Sequence, residues 1–441
     1  MRRLLENGAN SSFVNRMADS DLSAVDLAGD PAAELAALEP KRNPAIPLPK
    51  DIFPGRRNSA GVDLADPLVR EPLLKRLHDM RERQWEASPT FKAEVPGEIA
   101  PITAPFDHGM RIGTRRDASA EEVDDAIGRA AAIQPGWNAL GGEKRALLLE
   151  AAADAFEAHT DEILSLCQLE AGKTLVDAVL EIREAVDFLR YYANEARRLF
   201  IEPTELPGPT GEHNYLKLAG RGVFATISPW NFPLAIFIGP AAAALAAGNT
   251  VIAKPAEQTP LSALLLAEVM AEAGLPDGVF NVVTGYGEAG AALAAHMDVD
   301  KIAFTGSTEV GKQIMRDSAE NLKKVTLELG GKNPVVVAPD ADLARSASRI
   351  ASARMINGGQ VCVCPDYVFV PSHRVDEFVG IVRDTLHAMF PSIVANQDYC
   401  SSVNEANFDR VVGLIEDARA KGAQIDAVAP PGEGLPDPAT R

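Results

Sequence analysis

The sequence contains little cysteine and comparatively little basic charge. Only four of its 441 residues are cysteine, which argues against a disulfide framework and favours reduced thiols in a cytoplasm. Lysine and arginine number 43 against 62 aspartate and glutamate residues, and the formal net charge is −19. Such a charge repels phosphate backbones and anionic lipids. We therefore expect a cytoplasmic protein that binds neither nucleic acid nor membrane.

The chain also lacks a long uninterrupted apolar segment. Its first residues, "MRRLLENGANSSFVNRMADS", turn polar at Glu6, so no secretory signal is predicted. No charged residue lies between Arg221 and Lys254, but three prolines and the sequence "GNT" interrupt this stretch. We interpret it as a strand, a turn, a buried helix and a second strand, not as a membrane span.

Alternating strand and helix patterns dominate the middle of the chain. Helical periodicity covers residues 120–200, and short β-rich runs such as "GVFATIS", "TVIAK" and "KIAFTG" then alternate with helical segments. This alternation predicts right-handed crossovers and a mainly parallel sheet. A second α/β block runs from "VVVAP" to "VDEFVGIVRDTLHAMF", and the chain ends in the loop-like "PPGEGLPDPATR". We expect this second block to be incomplete.

Residues 1–92 predict a different organisation. A short polar helix comes first, the proline-rich linker "EPKRNPAIPLPKDIFPGRRNSAG" follows, and "LVREPLLKRLHDMRERQWEA" has helical periodicity. We therefore expect an N-terminal helix and linker at 1–92, an α/β domain at 93–330 and a partial α/β domain at 331–441.

Several short motifs lie where predicted strands end. "GYGEAG" fits a dinucleotide fingerprint between strand and helix, but no acidic residue ends a following strand, and a tight turn is the alternative. "TGSTEVG" opens a helix whose backbone N–H groups could hold a diphosphate. In "AKPAE", Lys254 and Glu257 are expected at the carboxyl edge of the sheet, where ligands of such sheets bind. Solvated loop charges are the alternative for these two residues.

Three further motifs carry candidate catalytic groups. Asn231 in "SPWNFP" is either an oxyanion donor or a turn-forming residue. Glu328 in "LELGGKNP" is either a base or a loop acid. The sequence "NGGQVCVCP" contains Cys362 and Cys364 in a C-x-C arrangement. With no second cysteine pair a metal site is disfavoured, and C-x-C is not the spacing of a redox dithiol, so a single nucleophile remains.

Together these motifs resemble those of the aldehyde dehydrogenase superfamily. "PWNFP", "KPAE", "FTGSTEVG", "LELGGK" and "GGQVC" occur in the order and spacing of that family, over about Ala93 to Gln424. The resemblance implies an α/β fold with a Rossmann-type parallel NAD domain and a second α/β catalytic domain that is truncated at its C-terminus. It also implies that residues 203–222 form an oligomerisation hairpin, so that a homo-oligomer is expected of the full-length family.

The resemblance assigns roles to individual residues. It implies that Cys362 is the nucleophile, that Asn231 and the Cys362 N–H hold the oxyanion, and that Glu328 activates water. Cys364 is then a variable neighbour. The implied cofactor is NAD, with NADP possible, because a carboxylate on the ribose would repel a 2′-phosphate. The implied cofactor contacts are Ile227, Ser228, Pro229, Trp230, Lys254, Ala256, Glu257, Gly287, Phe304, Thr305, Gly306, Ser307, Leu329 and Gly330.

Different segments resemble different members of that superfamily. Residues 1–260 resemble the junction and dehydrogenase half of the bifunctional proline utilisation A proteins. This likeness implies oxidation of L-glutamate γ-semialdehyde, formed from 1-pyrroline-5-carboxylate, to glutamate. Arg2 and Arg3 have no barrel before them, so no proline dehydrogenase activity and no flavin are carried over. The segment Val363–Tyr367 instead resembles coniferyl-aldehyde-type enzymes, which makes an aromatic or general aldehyde the alternative substrate.

The chain departs from the superfamily pattern at its end. It lacks the later E-x-F-G-P segment, whose glutamate helps to hold the nicotinamide ribose in the family. We therefore expect a chain that binds NAD and turns over aldehyde poorly or not at all. An NAD-binding remnant without turnover is the alternative from another functional class.

Overall fold

The computed structural model describes residues 23, 30–40, 43–90, 99–394 and 396–434. These form two compact units, Met1–Arg57 and Asn58–Arg441. In the first unit, α1 spans Pro31–Ala37, and the Asp30 carboxylate caps it by accepting the Ala32 N–H. A short 3-10 turn follows at Pro49–Asp51. The polar helix predicted at the start of the chain lies outside the described residues.

In the second unit, a helix and three strands precede the predicted helical block at residues 120–200, and strands and helices then alternate as predicted. Its first elements are α2 (Pro67–Asp79), β1 (Trp85–Ala87), β2 (Ile99–Ala104), β3 (Asp107–Arg116), α3 (Ala120–Ala139), α4 (Gly141–Ala158), α5 (Thr160–Ala171), α6 (Leu175–Phe200), β4 (Thr204–Leu206) and β5 (Asn214–Leu216). They are followed by β6 (Val223–Ile227), α7 (Ala235–Ala246), β7 (Thr250–Lys254), α8 (Pro260–Glu272), β8 (Phe280–Val282), α9 (Gly287–Ala295), β9 (Val299–Gly306), α10 (Thr308–Ala319) and β10 (Lys324–Leu329). The last elements are β11 (Asn333–Val336), α11 (Leu343–Met355), β12 (Pro365–Phe369), α12 (Val375–Met389) and α13 (Glu405–Ala420).

A five-stranded sheet forms the centre of the second unit, with strand order β10-β9-β6-β7-β8. All of its strand pairs are parallel, which confirms the predicted mainly parallel sheet. Ile227 at the end of β6 is paired with Lys254 of β7 and with Phe304 of β9. Glu328 of β10 is paired with Thr305 of β9. The carboxyl ends of four strands therefore meet at one edge of the sheet.

The apolar stretch between Arg221 and Lys254 belongs to the interior of this unit. All five residues of β7 are buried, and most of α7 is buried beside it. A parallel strand covered on both faces needs a continuous apolar run, which explains the absence of charge there. Within the described residues, no helix is both long and apolar enough to cross a membrane.

The structure corrects one prediction near the beginning of the second unit and adds elements that the sequence did not predict. "WEA" is not helical: it forms β1, which pairs in parallel with β3. Its Trp85 and Ala87 side chains are buried on one face of the strand, and this tertiary burial overrides the helical pattern before it. The sheet β1-β3-β2 and helix α13 were not predicted.

The predicted domain boundaries at residues 92 and 330 can be compared with the two compact units of the structure. The boundary at residue 92 lies in the segment 91–98, outside the described residues. The second compact unit already begins at Asn58, where the Ser59 N–H and hydroxyl are bound by Asp187 of α6 at 2.8 and 2.9 Å. The end of the proline-rich segment is therefore part of a folded core. The boundary at residue 330 stays a prediction.

Candidate active site

The loop that carries Asn231 is anchored at the start of α7. The Glu181 carboxylate accepts the backbone N–H groups of Leu234 and Ala235 at 2.6 and 3.3 Å. Lys173 Nζ lies 2.6 Å from Glu181 Oε2, and both side chains are buried. Burial acts to lower the pKa of Lys173, but Glu181, Cys167 and Asp177 together outweigh it, so that the net shift of this pKa is upward. This ion pair fixes the helix start directly after Asn231.

The loop that carries Cys362 has an unusual backbone. A 3-10 turn, Ile356–Gly359, follows α11, and Asn357 within it has left-handed dihedral angles, with φ 50° and ψ 37°. Gly358 is also left-handed, with φ 63°, and a Cβ on it would lie 2.9 Å from the Cys400 carbonyl oxygen. Glycine is therefore required at this position. The turn reverses the chain and leaves Cys362 exposed.

Hydrogen bonds connect the two loops. Asn231 Nδ2 donates to the Gln360 carbonyl oxygen at 3.0 Å. The side-chain amide of Asn357 donates to the Asn231 carbonyl oxygen at 3.0 Å and to the Gln360 carbonyl oxygen at 3.3 Å. The Gln360 side chain reaches further, donating to the Ser401 carbonyl oxygen and accepting the Val403 N–H, both at 3.2 Å. The structure thus brings Asn231 to the cysteine loop.

Glu328 lies at the carboxyl end of β10, where it pairs with Thr305 of β9. It is the penultimate residue of the edge strand β10 and its side chain is exposed. A few residues further on, Asn333 Nδ2 donates to the carbonyl oxygens of Cys362 and Cys364 at 2.8 and 3.0 Å. Asn333 therefore connects the segment after Glu328 to the backbone of the cysteine loop. The exposure of the carboxylate leaves it accessible to water.

The four cysteines differ in their surroundings. Cys362 is exposed, whereas the other three are buried. Cys364 Sγ accepts a hydrogen bond from Arg354 Nη1 at 2.9 Å. Burial raises the pKa of Cys167, and burial with the nearby Asp177 carboxylate raises the pKa of Cys400 to about 12. Cys362 is therefore the thiol that is most accessible to a reactant.

A second group of predicted residues lies at the carboxyl edge of β7. The Lys254 side chain is only 7% exposed, and its Nζ is 3.5 Å from Glu257 Oε2. Burial lowers the pKa of Lys254, although the Glu257 carboxylate acts in the opposite direction. Arg115 donates to the Glu257 carbonyl oxygen at 3.4 Å, binds the Tyr286 hydroxyl and stacks on the Tyr286 ring at 4.5 Å. A cleft of about 440 Å³, lined in part by these side chains, opens beside Glu257.

A third group surrounds the junction of β9 and α10. Ser307 caps α10 by accepting the Val310 N–H at 3.3 Å. A Cβ on Gly306 would lie 2.6 Å from the Phe304 ring, so a larger residue would clash here. Bare backbone N–H groups at a helix start are the donors that a diphosphate requires. We call the backbone of Gly306 and Ser307 the cradle. The cradle, together with Lys254 and Glu257, fits a dinucleotide.

The remaining predicted cofactor residues are distributed along the same sheet edge. Their placement follows from the strand ends and the first turns that come after them. Ile227, Ser228 and Ala256 are buried, Pro229, Trp230, Thr305 and Leu329 are half-buried, and Gly287 and Gly330 are exposed. Their roles stay predictions, as do those of Cys362, Glu328 and Asn231.

Sequence reasoning missed several residues that hold these groups in place. Asn357, Gln360, Asn333 and Arg115 were not singled out as site residues. Gln360 belongs to the motif "GGQVC", and Asn357 precedes two glycines, a sequence typical of a left-handed turn. Those signals identify a turn, but they do not indicate which carbonyl groups the side chains bind.

Comparison with known proteins identifies the class to which this chain belongs. The model of the "Aldehyde dehydrogenase family" matches residues 92–434, which is most of the chain. The chain therefore belongs to the aldehyde dehydrogenase family, an oxidoreductase family whose members use NAD or NADP. The predicted family, fold and enzyme class are confirmed.

Individual relatives show which members of the family are similar to this chain. "Bifunctional protein PutA" of Klebsiella aerogenes is 36% identical over 436 residues, which cover 96% of this chain and 31% of the relative. Succinate-semialdehyde dehydrogenase (NADP+) GabD of Escherichia coli strain K12 is 37% identical, with 75% and 68% covered. Among solved structures, proline utilization A from Bdellovibrio bacteriovorus has a TM-score of 0.82 and 33% identity, with 95% of this chain and 44% of that chain covered. The chain thus spans less than half the length of its PutA relatives.

Proposed function

We propose that this chain oxidises an aldehyde to a carboxylic acid with NAD, through a covalent intermediate on Cys362. The observation that carries this proposal is the bond from Asn231 Nδ2 to the Gln360 carbonyl oxygen, at 3.0 Å. It holds a side-chain amide against the loop that presents the exposed cysteine of this chain. A nucleophile beside a fixed hydrogen-bond donor is the arrangement that carbonyl addition requires.

The first step forms a bond between sulfur and carbon. The Cys362 thiolate attacks the aldehyde carbon, and the carbonyl π electrons move onto the oxygen. The Asn231 amide and the Cys362 N–H stabilise the resulting oxyanion, and each such donor contributes about 3 kcal/mol. Bound NAD would supply the hydride acceptor, so that the carbonyl re-forms as a thioester on Cys362.

The second step releases the product. Glu328 takes a proton from a water molecule, and the water oxygen attacks the thioester carbon. The C–S bond then breaks, its electron pair returns to sulfur, and the carboxylic acid leaves. The exposure of Glu328 at the end of β10 gives water access to this carboxylate.

The cofactor proposal rests on Lys254, Glu257 and the cradle at Gly306 and Ser307. Glu257 would accept hydrogen bonds from ribose hydroxyls and repel a 2′-phosphate, which favours NAD over NADP. The NADP-dependent relative GabD keeps NADP as the second candidate. The Gly306 and Ser307 backbone would hold the diphosphate at the start of α10.

The proposed substrate is L-glutamate γ-semialdehyde, formed from 1-pyrroline-5-carboxylate. Its support is the likeness to PutA along 96% of this chain, together with the resemblance of residues 1–260 to the dehydrogenase half of those proteins. An aromatic aldehyde is the second candidate, because the segment Val363–Tyr367 resembles coniferyl-aldehyde-type enzymes. Activity with each of the two aldehydes therefore distinguishes the candidates.

The test measures NADH formation at 340 nm with glutamate semialdehyde and, separately, with coniferaldehyde. We expect NADH with NAD present, a higher kcat/KM for the semialdehyde, and loss of activity in Cys362→Ser. Cys364→Ser is the matched control, since it removes the neighbouring thiol and should keep most of the activity. Activity that survives in Cys362→Ser would contradict the proposed nucleophile, and a higher kcat/KM for coniferaldehyde would favour the second substrate.

A further inference from the structure

The structure assigns to Asn357 the role of a positioning residue, which fixes the Asn231 amide against the loop that carries Cys362. This inference rests on the proposed function, in which Asn231 stabilises an oxyanion. Asn357 is buried between the Asn231 loop and the cysteine loop and is only 2% exposed. It therefore acts through Asn231 and does not contact a substrate.

The hydrogen bonds that Asn357 donates connect it to three parts of the chain. Its backbone N–H donates to Asp177 Oδ2 of α6 at 3.1 Å. Its side-chain amide donates to the Asn231 carbonyl oxygen at 3.0 Å and to the Gln360 carbonyl oxygen at 3.3 Å. The backbone of Asn357 thus binds α6, and its buried side chain connects the Asn231 loop to the cysteine loop.

The Gln360 carbonyl oxygen is the point at which these bonds converge. It accepts both Asn231 Nδ2, at 3.0 Å, and Asn357 Nδ2, at 3.3 Å. Asn231 Nδ2 has two hydrogens, and its bond to Gln360 uses one of them. Fixing that bond directs the second hydrogen, which is the one that an oxyanion on the substrate can accept.

The left-handed backbone of Asn357 makes two informative variants available. Asn357→Gly tolerates φ 50° and removes the side chain alone. Asn357→Asp keeps the size, and aspartate also tolerates this conformation. However, it replaces the donating amide with a carboxylate that faces two carbonyl oxygens. Val363→Ala is the matched control, because Val363 lies next to Cys362 in the same loop and its side chain is 75% exposed.

Two reactions of the same thiol separate positioning from general damage. Acylation of Cys362 by p-nitrophenyl acetate passes through a tetrahedral oxyanion, whereas alkylation by iodoacetamide displaces iodide and forms none. Both can be measured on the full chain without cofactor, with the modified residue located by peptide mass spectrometry. We expect Asn357→Gly and Asn357→Asp to slow acylation by roughly 10- to 100-fold. Alkylation should change less than about threefold, and Val363→Ala should leave both rates near those of the parent.

The outcomes against this inference are distinct. If the rates of acylation and alkylation fall together, Asn357 only maintains the fold of the loop. If neither rate falls, Asn357 does not position the Asn231 amide for oxyanion stabilisation. A separate result concerns the proposed function itself. If Cys362 of the parent is not acylated, or if Asn231→Ala acylates as fast as the parent, the oxyanion role of Asn231 is wrong, and the inference fails with it.

Discussion

Cys362 is distinguished from the other cysteines by its accessibility. Iodoacetamide at neutral pH should therefore label Cys362 first. Cys167 and Cys400 should react slowly, because burial raises the pKa of both thiols and only the thiolate is nucleophilic. Cys364 is the closest competitor, since it lies two residues away with Arg354 at its sulfur. Peptide mass spectrometry over a time course checks the order, and earlier labelling of Cys364 would contradict it.

Glu257 is the residue that we propose to determine the choice between NAD and NADP. NAD should bind more tightly than NADP. Glu257→Gln should reduce the ratio of the NADP to the NAD dissociation constant by roughly tenfold, because it removes a charge that repels the 2′-phosphate. Glu320→Gln is the control, since Glu320 is an exposed acid at the C-terminal end of α10, opposite the end that Ser307 caps. Calorimetric titration of both cofactors provides the measurement. A parent protein that prefers NADP would show that Glu257 does not face the ribose.

At the scale of elements, a buried carboxylate at the start of α8 links pH to stability. Glu170 is 1% exposed and accepts the N–H groups of Leu261 and Ser262 at 2.7 and 2.8 Å. Burial nevertheless raises the pKa of Glu170 from 4.5 to about 7. The folded chain therefore keeps a proton that the unfolded chain releases above pH 4.5.

The expected result is a loss of stability between pH 4.5 and 7. The contribution of Glu170 is fully present below pH 4.5 and is lost as the pH rises through about 7, by at most about 3 kcal/mol. Urea denaturation of the parent and of Glu170→Gln at pH 5 and pH 8 measures this difference. Glutamine keeps the shape without the titration, so the parent should lose more stability between the two pH values. An equal loss in both proteins would show that Glu170 does not titrate in this range.

The sequence predicted those elements whose pattern directly reflects their burial. The continuous apolar run of β7 correctly predicted a strand, and the helical periodicity of residues 120–200 correctly predicted the helical type of α3 to α6, because each element is covered by the core in a regular way. β1 is only three residues long, and its place beside β3 depends on a non-local pairing that no local pattern contains. The site shows the same limit. The motifs identified Asn231 and Cys362, but the contacts of Asn357 and Gln360 exist only after the turn has formed.

At the scale of the whole molecule, the proposed catalytic groups are open to solvent. Cys362 and Glu328 are both exposed, and Val336 and Phe369 of the two-stranded sheet β11-β12 are 74% and 58% exposed. Water near an oxyanion weakens the donors that stabilise it. We therefore expect this 441-residue chain to bind NAD but to turn over aldehyde poorly, well below about 10 per second. Steady-state NADH production that reaches this rate would contradict the expectation.

The β4–β5 hairpin is a second feature of the whole molecule. Its strands pair in an antiparallel manner at Thr204–Leu206 and Asn214–Leu216, within the predicted segment 203–222. Tyr215 and Leu216 are 60% and 49% exposed. Exposed apolar side chains on a short hairpin favour association, so the oligomerisation role stays our prediction for this segment.

We propose that aldehyde oxidation passes through a thioester on Cys362, which is hydrolysed by water that Glu328 activates. The most direct measurement mixes Glu328→Gln with NAD and glutamate semialdehyde, and follows NADH at 340 nm and the intact protein mass. Without the carboxylate the thioester should accumulate, giving about one NADH per chain and an acyl group located on Cys362. Cys362→Ser should give neither signal. Continued turnover of Glu328→Gln at the rate of the parent, or an acyl group on Cys364, would contradict the account.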